Sequence, residues 1–321
     1  MRKSRSKYHE KSIWALIGIV LGVVATHAQT PAPSPSPAAT PPVGDIVIVD
    51  IKKRHDFKTG ADELSFGAPK KITDFVGYNN QPFFMPDGKS ILYTSNRNKQ
   101  TDIYRYDIQT GTTTQVTNTP ESEYSPTLMP DRKNISVVRV EADGKTQRLW
   151  RFPLAGGAPS LIIEDIKGVG YHLWIDDHTL ALFIVAGSGK PNYLEVYDLR
   201  THKSEFVVEN PGRILRRIPN QNKFSFAHKV SSDHWEIKAF DLRTRTSSSL
   251  ITTVPGAEDY AWLPDGRLLL GKDSKMFVVV PLSDKKWSQA DDFAVQGLSG
   301  ITRIAVSPKG DRLAMVVRHA N

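Results

Sequence analysis

Six segments of this chain repeat one pattern. An alternating apolar strand runs into an aromatic residue or Val, then Asp or Pro, then an aliphatic residue and a turn. The segments are IVIVDIKKR (46–54), IYRYDIQTG (103–111), LWRFPLAGG (149–157), LEVYDLRTH (194–202), IKAFDLRTR (237–245) and FVVVPLSDK (277–285). Their Asp or Pro positions lie 40 to 57 residues apart. Self-similarity at such a period indicates supersecondary units that bury their apolar faces only against one another.

A second series runs alongside the first. Phe84, Leu128, Trp174, Ile218, Trp262 and Val306 each stand just before a turn: MPDGK, MPDRK, IDDHT, PNQNK, LPDGR and SPKGD. Five of these turns lead into a strand and then into an Asp/Pro strand. Fourth strands follow as KKITDF (70–75), TTTQVT (112–117), PSLII (159–163), KSEFVV (203–208) and SSSLITT (247–253), with a blurred last one near DDFAVQG (291–297). Four short strands in about 45 residues, punctuated by Gly, Pro, Asn and Asp, predict propeller blades.

The two ends complement each other. ITRIAVS and RLAMVV supply a first and a second strand, while IVIVDI and KITDF supply a third and a fourth. Pairing them removes open sheet edges, which are aggregation-prone. The expected fold is all-β: a six-bladed propeller over residues 45–321, with one blade closed by N- and C-terminal strands. Inside that blade, RHDFKTGADELSFGA (54–68) is a polar insertion, expected to be a solvated flap or a functional loop.

Ahead of the repeats, basic residues precede IWALIGIVLGVV (13–24) and a small-residue exit at Ala28. That order predicts a secretory signal peptide over 1–28, with an uncleaved membrane anchor as the alternative. The stretch QTPAPSPSPAATPPVG (29–44) reads as a semi-rigid linker. A periplasmic or secreted domain is expected. The net charge is +8 with no cysteine. Five of the basic residues and one acid fall in the first 28, so the remainder carries 37 basic against 33 acidic residues. No basic block remains, and nucleic acid is not an expected partner. The absence of cysteine excludes disulfides and thiolate metal sites.

Individual motifs carry little chemistry. AGSGK (186–190) lacks the spacing and strand–helix context of a nucleophile elbow or phosphate loop. His172, His178, His228 and His234 show no tight ligand spacing. Asp87, Asp131, Asp177 and Asp265 recur once per blade in tight turns, where backbone geometry alone favours Asp. The recurring apolar series reads as packing between blades.

QPFFMPDGKSILYTSNRNKQTDIYRYDIQTGTTTQVT (81–117), YAWLPDGRLLL (260–270) and IAVSPKGDRLAMV (304–316) resemble the WD-repeat-like unit of TolB-type β-propellers. A Pro-rich stretch stands where TolB has a small α/β domain, so TolB's own partners are not carried over. The resemblance implies a secreted or periplasmic propeller that binds proteins or peptides. The expected role is a non-catalytic scaffold of the cell envelope, without cofactor and monomeric. The alternative is a periplasmic propeller enzyme, a polysaccharide lyase or lactonase-like hydrolase, using a divalent cation in the central channel. Inner strands converge on that channel. Its mouth is expected to present Tyr78, Asn80, Glu123, Tyr124, Tyr171, His172, Arg216, Arg217, Glu258, Asp259 and Arg303. That mixture of aromatic, charged and amide groups suits a peptide-binding surface.

Overall fold

The computed structural model describes residues 43–56, 61–284 and 286–319. The expected signal peptide, nearly all of the linker and part of the insertion lie outside the described residues. Within them the chain forms six antiparallel sheets, each following the up-and-down strand order of a propeller blade. Blade one comprises Asn79–Phe84, Ser90–Arg97, Gln100–Asp107 and Thr113–Gln115. Blades two to five open with Ser122–Leu128, Val169–Trp174, Pro211–Arg217 and Tyr260–Trp262. Blade six opens with Leu298–Val306, continues with Arg312–His319, and is completed by Asp45–Asp56 from the other end of the chain. In that closure Ile46, Val47 and Ile48 pair with Val316, Met315 and Ala314. The expected architecture, composite blade included, is the observed one.

Each strand alternates its side chains between two faces, and each blade face meets the next blade. The result is six apolar clusters, one in each space between neighbouring blades. Between blades five and six, Ala261, Leu269 and Met276 meet Val47, Ile301, Leu313 and Met315. A side chain at Gly271 would sit 2.5 Å from Ile301 Cγ2. Gly271→Ala is therefore expected to wedge blades five and six apart and cost about 1–3 kcal/mol, as overpacking does. Denaturant unfolding checks this, and a midpoint equal to that of the unsubstituted protein would refute it.

The turns have a shared physical basis. Asp87, Asp131 and Asp265 accept backbone N–H groups two residues on, through Oδ1. In blade three the residue in that role is Asp176, which accepts from His178 and Thr179, and not Asp177. Asp107, Asp198 and Asp241, at the ends of third strands, each accept two turn N–H groups. Those bonds favour the ionised form, and the Asp198 carboxyl is held at about 2 by its bonds from the Thr201 and Arg200 N–H groups, against a partial burial that opposes them. The recurring aspartates thus fix turns.

Two segments differ from expectation. The fourth strand of blade five is Ser288–Asp292, and the chain then makes a 3-10 turn over Phe293–Gln296 where a strand was sought. The insertion in blade six is a hairpin: Ile51 to Asp56 pair with Phe66 to Ala61, and only Lys70 and Lys71 occupy the fourth-strand edge beside Ile48 and Val47. The hairpin lies against blade five. Phe66 meets Phe293 edge-on at 5.9 Å, and Lys53 Nζ reaches Asp265 Oδ2 at 2.6 Å.

Candidate functional site: the central channel

The six innermost strands begin at one end of the channel, its mouth, and finish at the far end beside the recurring turns. Pairing shifts register in five of them, and in three the shift is a bulge built on a left-handed non-glycine residue. Gln81, Ser125 and Arg303 each stand three residues before Phe84, Leu128 and Val306, and all have left-handed backbones, φ 56°, 54° and 49°. Strand pairing slips there, between Asn80 and Phe83, Tyr124 and Thr127, and Thr302 and Ala305. Blades six, one and two are adjacent, so the bulges form one continuous arc of the channel wall. Bulges re-aim side chains, and non-glycine residues held left-handed concentrate at functional sites. Pro82 and Pro126 directly follow the bulged residues, and a proline inside a strand is the sequence signal that marks such a position.

At the mouth three tyrosines from blades one to three converge. Tyr78 meets Tyr124 edge-on with ring centroids 6.3 Å apart, and Tyr171 packs on Phe183 at 5.4 Å. From the opposite side of the ring, Arg303 Nη2 donates to Tyr171 Oη at 2.7 Å, and its guanidinium lies 4.8 Å from that ring's centre. Burial pushes the Tyr78 phenol well above its usual range, countered by the nearby charge of Arg303.

Blades four and five contribute an ionic network. Arg213 holds Asp259 through Nε (3.2 Å) and Nη2 (2.5 Å), and its Nε also faces Glu258 Oε1 at 3.4 Å. Lys229 Nζ lies 3.5 Å from Glu258 Oε2 and 4.4 Å from the centre of the Trp235 ring. A cleft of about 650 Å³ opens here between blades three and four, lined by Tyr171, Phe183, Arg213, Lys229, Trp235 and Glu258. Deeper, the channel narrows to a cavity of about 80 Å³ that includes Gln81, Ser125, Arg216 and Arg303. The far end is apolar, a pocket of about 450 Å³ walled by Phe83, Phe84, Trp262, Val306 and prolines. Part of the recurring apolar series therefore lines this pocket as well as packing blade on blade.

The residues expected at the mouth divide into two sets. Tyr78, Tyr124, Tyr171, Glu258, Asp259 and Arg303 surround it, and Arg216 lies deeper in the channel wall. Asn80 turns inward on its own strand and accepts from Gln81 N at 2.8 Å. Arg217 lies exposed at the far end.

Glu123 and His172 are interior residues. Glu123 is fully buried between blades one and two, bonded to Thr117 Oγ1 at 3.1 Å and to Thr119 Oγ1, with Asp102 alongside. Burial, with Asp102 adding to it, pushes its carboxyl up to about 8.

His172 is buried, and its Nε2 lies 2.7 Å from Ser136 Oγ. Trp174 Nε1 donates to the same oxygen at 2.8 Å. Blades four and five repeat this motif, with Tyr260 Oη and Trp262 Nε1 donating to Ser225 Oγ at 2.9 and 2.8 Å. The parallel assigns His172 an Nε2–H donor and a structural task, in keeping with a pKa brought down to about 3 by burial.

The sequence points to Gln81 only as the end of the segment 78–81 that enters the channel, and it does not single out Ser125, Arg213, Lys229 or Trp235. Apart from the Ser-Pro step at 125–126, nothing local marks those four. Among the described residues no group of three or more His, Cys, Asp or Glu side chains is placed to hold a metal ion, and no helix is long and apolar enough to cross a membrane.

Comparison with known proteins agrees with this architecture. Residues 21–165 match the family model of the TolB beta propeller domain. A solved structure assigned as TolB from Agrobacterium tumefaciens superposes with a TM-score of 0.63 at 14% identity, covering 86% of this chain and 98% of that one. TolB from Acinetobacter baumannii superposes with a TM-score of 0.53 at 15% identity, covering 87% of this chain; this chain spans 65% of that one's length. An oligogalacturonate lyase in complex with manganese gives 0.48 at 13% identity, over 87% of this chain and 98% of that one. No curated protein sequence matches the chain. Identities this low speak to fold alone: the chain is a six-bladed β-propeller of the same fold as these TolB structures, and the match to the TolB beta propeller domain is confined to residues 21–165.

Proposed function

We propose that the protein is an exported, non-catalytic scaffold of the cell envelope that binds a protein or peptide at the mouth of its channel, with no resident cofactor. One observation carries the reading: Tyr78, Tyr124 and Tyr171 converge beside Arg303 and Arg213, next to an open cleft floored by Glu258. Tyrosine and arginine give large contact area and planar hydrogen bonding at little entropic cost, and they dominate binding hot spots. The basic, apolar, small-residue order of residues 1–28 supports export, and the spacer that follows supports a domain held away from a membrane or wall.

Affinity capture from the native envelope tests this reading. The wild-type protein is expected to retain a defined partner, and Tyr124→Ala is expected to weaken it by at least about tenfold, a loss typical of a hot-spot residue. Equal capture by both proteins would place binding elsewhere. Metal analysis of the purified protein provides a second check: a stoichiometric divalent ion in the channel would replace the scaffold with a metal-assisted enzyme.

A further inference from the structure

Arginines seldom lie inside a protein without a carboxylate beside them, because a buried charge is costly unless paired. Two arginines of the channel, both half-buried, have no carboxylate among their contacts. Arg216 donates from Nη1 to the carbonyl of Leu215 (3.2 Å) and from Nη2 to that of Ile304 (3.1 Å). Arg303 donates to the phenol of Tyr171. Among the described residues both make only these neutral contacts, and several donors on each guanidinium stay uncommitted. The nearest acids are engaged elsewhere, Asp259 by Arg213 and Glu258 by Arg213 and Lys229.

Arg213, Arg216 and Arg303 all line the cavity of about 80 Å³. Its wall holds a further donor. Ser125 Oγ is buried there without a hydrogen-bond partner, and the bulge fixes the residue in its left-handed conformation. Gln81, also in the wall, uses its Oε1 to accept from Ser125 N and Thr94 Oγ1, both at 2.8 Å, which leaves its amide N–H groups as donors. The cavity is thus lined by cations and hydrogen-bond donors. A water molecule needs roughly 10–15 Å³ of such space, so the cavity has room for a carboxylate group with water beside it.

We propose that this cavity is a carboxylate site, in which Arg216 and Arg303 clamp the terminal or side-chain carboxylate of a ligand and Ser125 adds a hydroxyl donor. Planar guanidinium groups match a carboxylate with two parallel bonds, which makes arginine the natural residue for the task. The ligand's body would lie in the tyrosine-lined mouth. The source of the carboxylate, a peptide, rests on the scaffold reading; the anion site itself does not.

Calorimetric titration of the full-length protein separates the two. The probes are sodium acetate, inorganic phosphate, N-acetyl-trialanine with a free C-terminus, and the same peptide as its C-terminal amide. Acetate and the free acid are expected to bind, with the amide weaker by roughly tenfold or more, the worth of a charge-assisted hydrogen bond. Arg216→Gln and Arg303→Gln are each expected to lower affinity for the free acid by a similar factor, and Ser125→Ala by several-fold. Circular dichroism establishes that each variant folds. Should Arg216→Gln fail to fold, Arg303→Gln and Ser125→Ala carry the test.

Equal binding of acid and amide would overturn the carboxylate site and leave the scaffold reading standing. Arginine-dependent binding of acetate without binding of either peptide would uphold the site and count against the scaffold. Arginine-dependent binding of phosphate in place of acetate, or binding of no probe at millimolar concentration, would overturn the proposal.

Discussion

Deleting residues 312–321 is expected to abolish cooperative unfolding of the whole ring. The strand Arg312–His319 lies in the middle of the composite blade, paired on one side with Leu298–Val306 and on the other with Asp45–Asp50. Its Leu313, Met315 and Val317 are fully buried against blade five, while Ala314 and Val316 face blade one. Burying each large side chain is worth about 1.5–3 kcal/mol, so those three alone contribute about 5–9 kcal/mol. The net stability of a domain is about 5–15 kcal/mol. Loss of the strand would also free two rows of backbone donors and acceptors and detach the N-terminal strand from the ring. Thermal unfolding followed by circular dichroism checks the point. A sharp transition within a few degrees of the intact protein would show that the ring does not depend on this closure.

The second large effect concerns pH. Glu123 and Asp102 share a buried site between blades one and two, with Gln115 Nε2 donating to Asp102 Oδ2 at 3.1 Å and Asp102 Oδ1 left without a partner. Burial raises both carboxyls, that of Glu123 to about 8, and the pair holds a proton that neither side chain would keep in water. In the unfolded chain Glu123 loses its proton near its ordinary value of about 4.3. Between there and about pH 8 the folded state binds more protons than the unfolded one, so stability must fall as pH rises through that window. The effect is on the order of a few kcal/mol, since each unit of displacement is worth about 1.4 kcal/mol.

Glu123→Gln keeps the shape, removes the ionisation and is expected to flatten the profile, making the variant the more stable protein at pH 8. Denaturant unfolding at a series of pH values measures this. Parallel wild-type and variant profiles would refute it. The turn aspartates do not confuse the reading, because carboxyls held low, such as that of Asp198, lose their contribution only as pH falls toward about 2.

These two effects lie on opposite sides of what could be read from residue order. Closure was legible because its signals are local. Alternation in IVIVDI and RLAMVV marks strands, the turns bound them, and the count of strands at each end leaves complementary gaps. The Glu123 pair was not legible. Position 123 begins an innermost strand and so resembles a mouth residue, and only the approach of Asp102 from the neighbouring blade makes it interior. The surroundings of His172 were not legible for the same reason, since its partner Ser136 lies 36 residues earlier in the adjacent blade. The insertion at 54–68 looked like a loop because its apolar residues Leu64 and Phe66 are sparse, yet Phe66 finds Phe293 on blade five.

By itself the sequence determined the number of blades, their order, the composite closure and the turns, since these follow from side-chain alternation and backbone preferences acting over a few residues. The tertiary structure decided the site. Tyr171 and Arg303 are 132 residues apart in the chain and 2.7 Å apart across the channel. No local pattern encodes that approach, because ring closure alone brings opposite blades together and sets which charged and aromatic groups lie side by side.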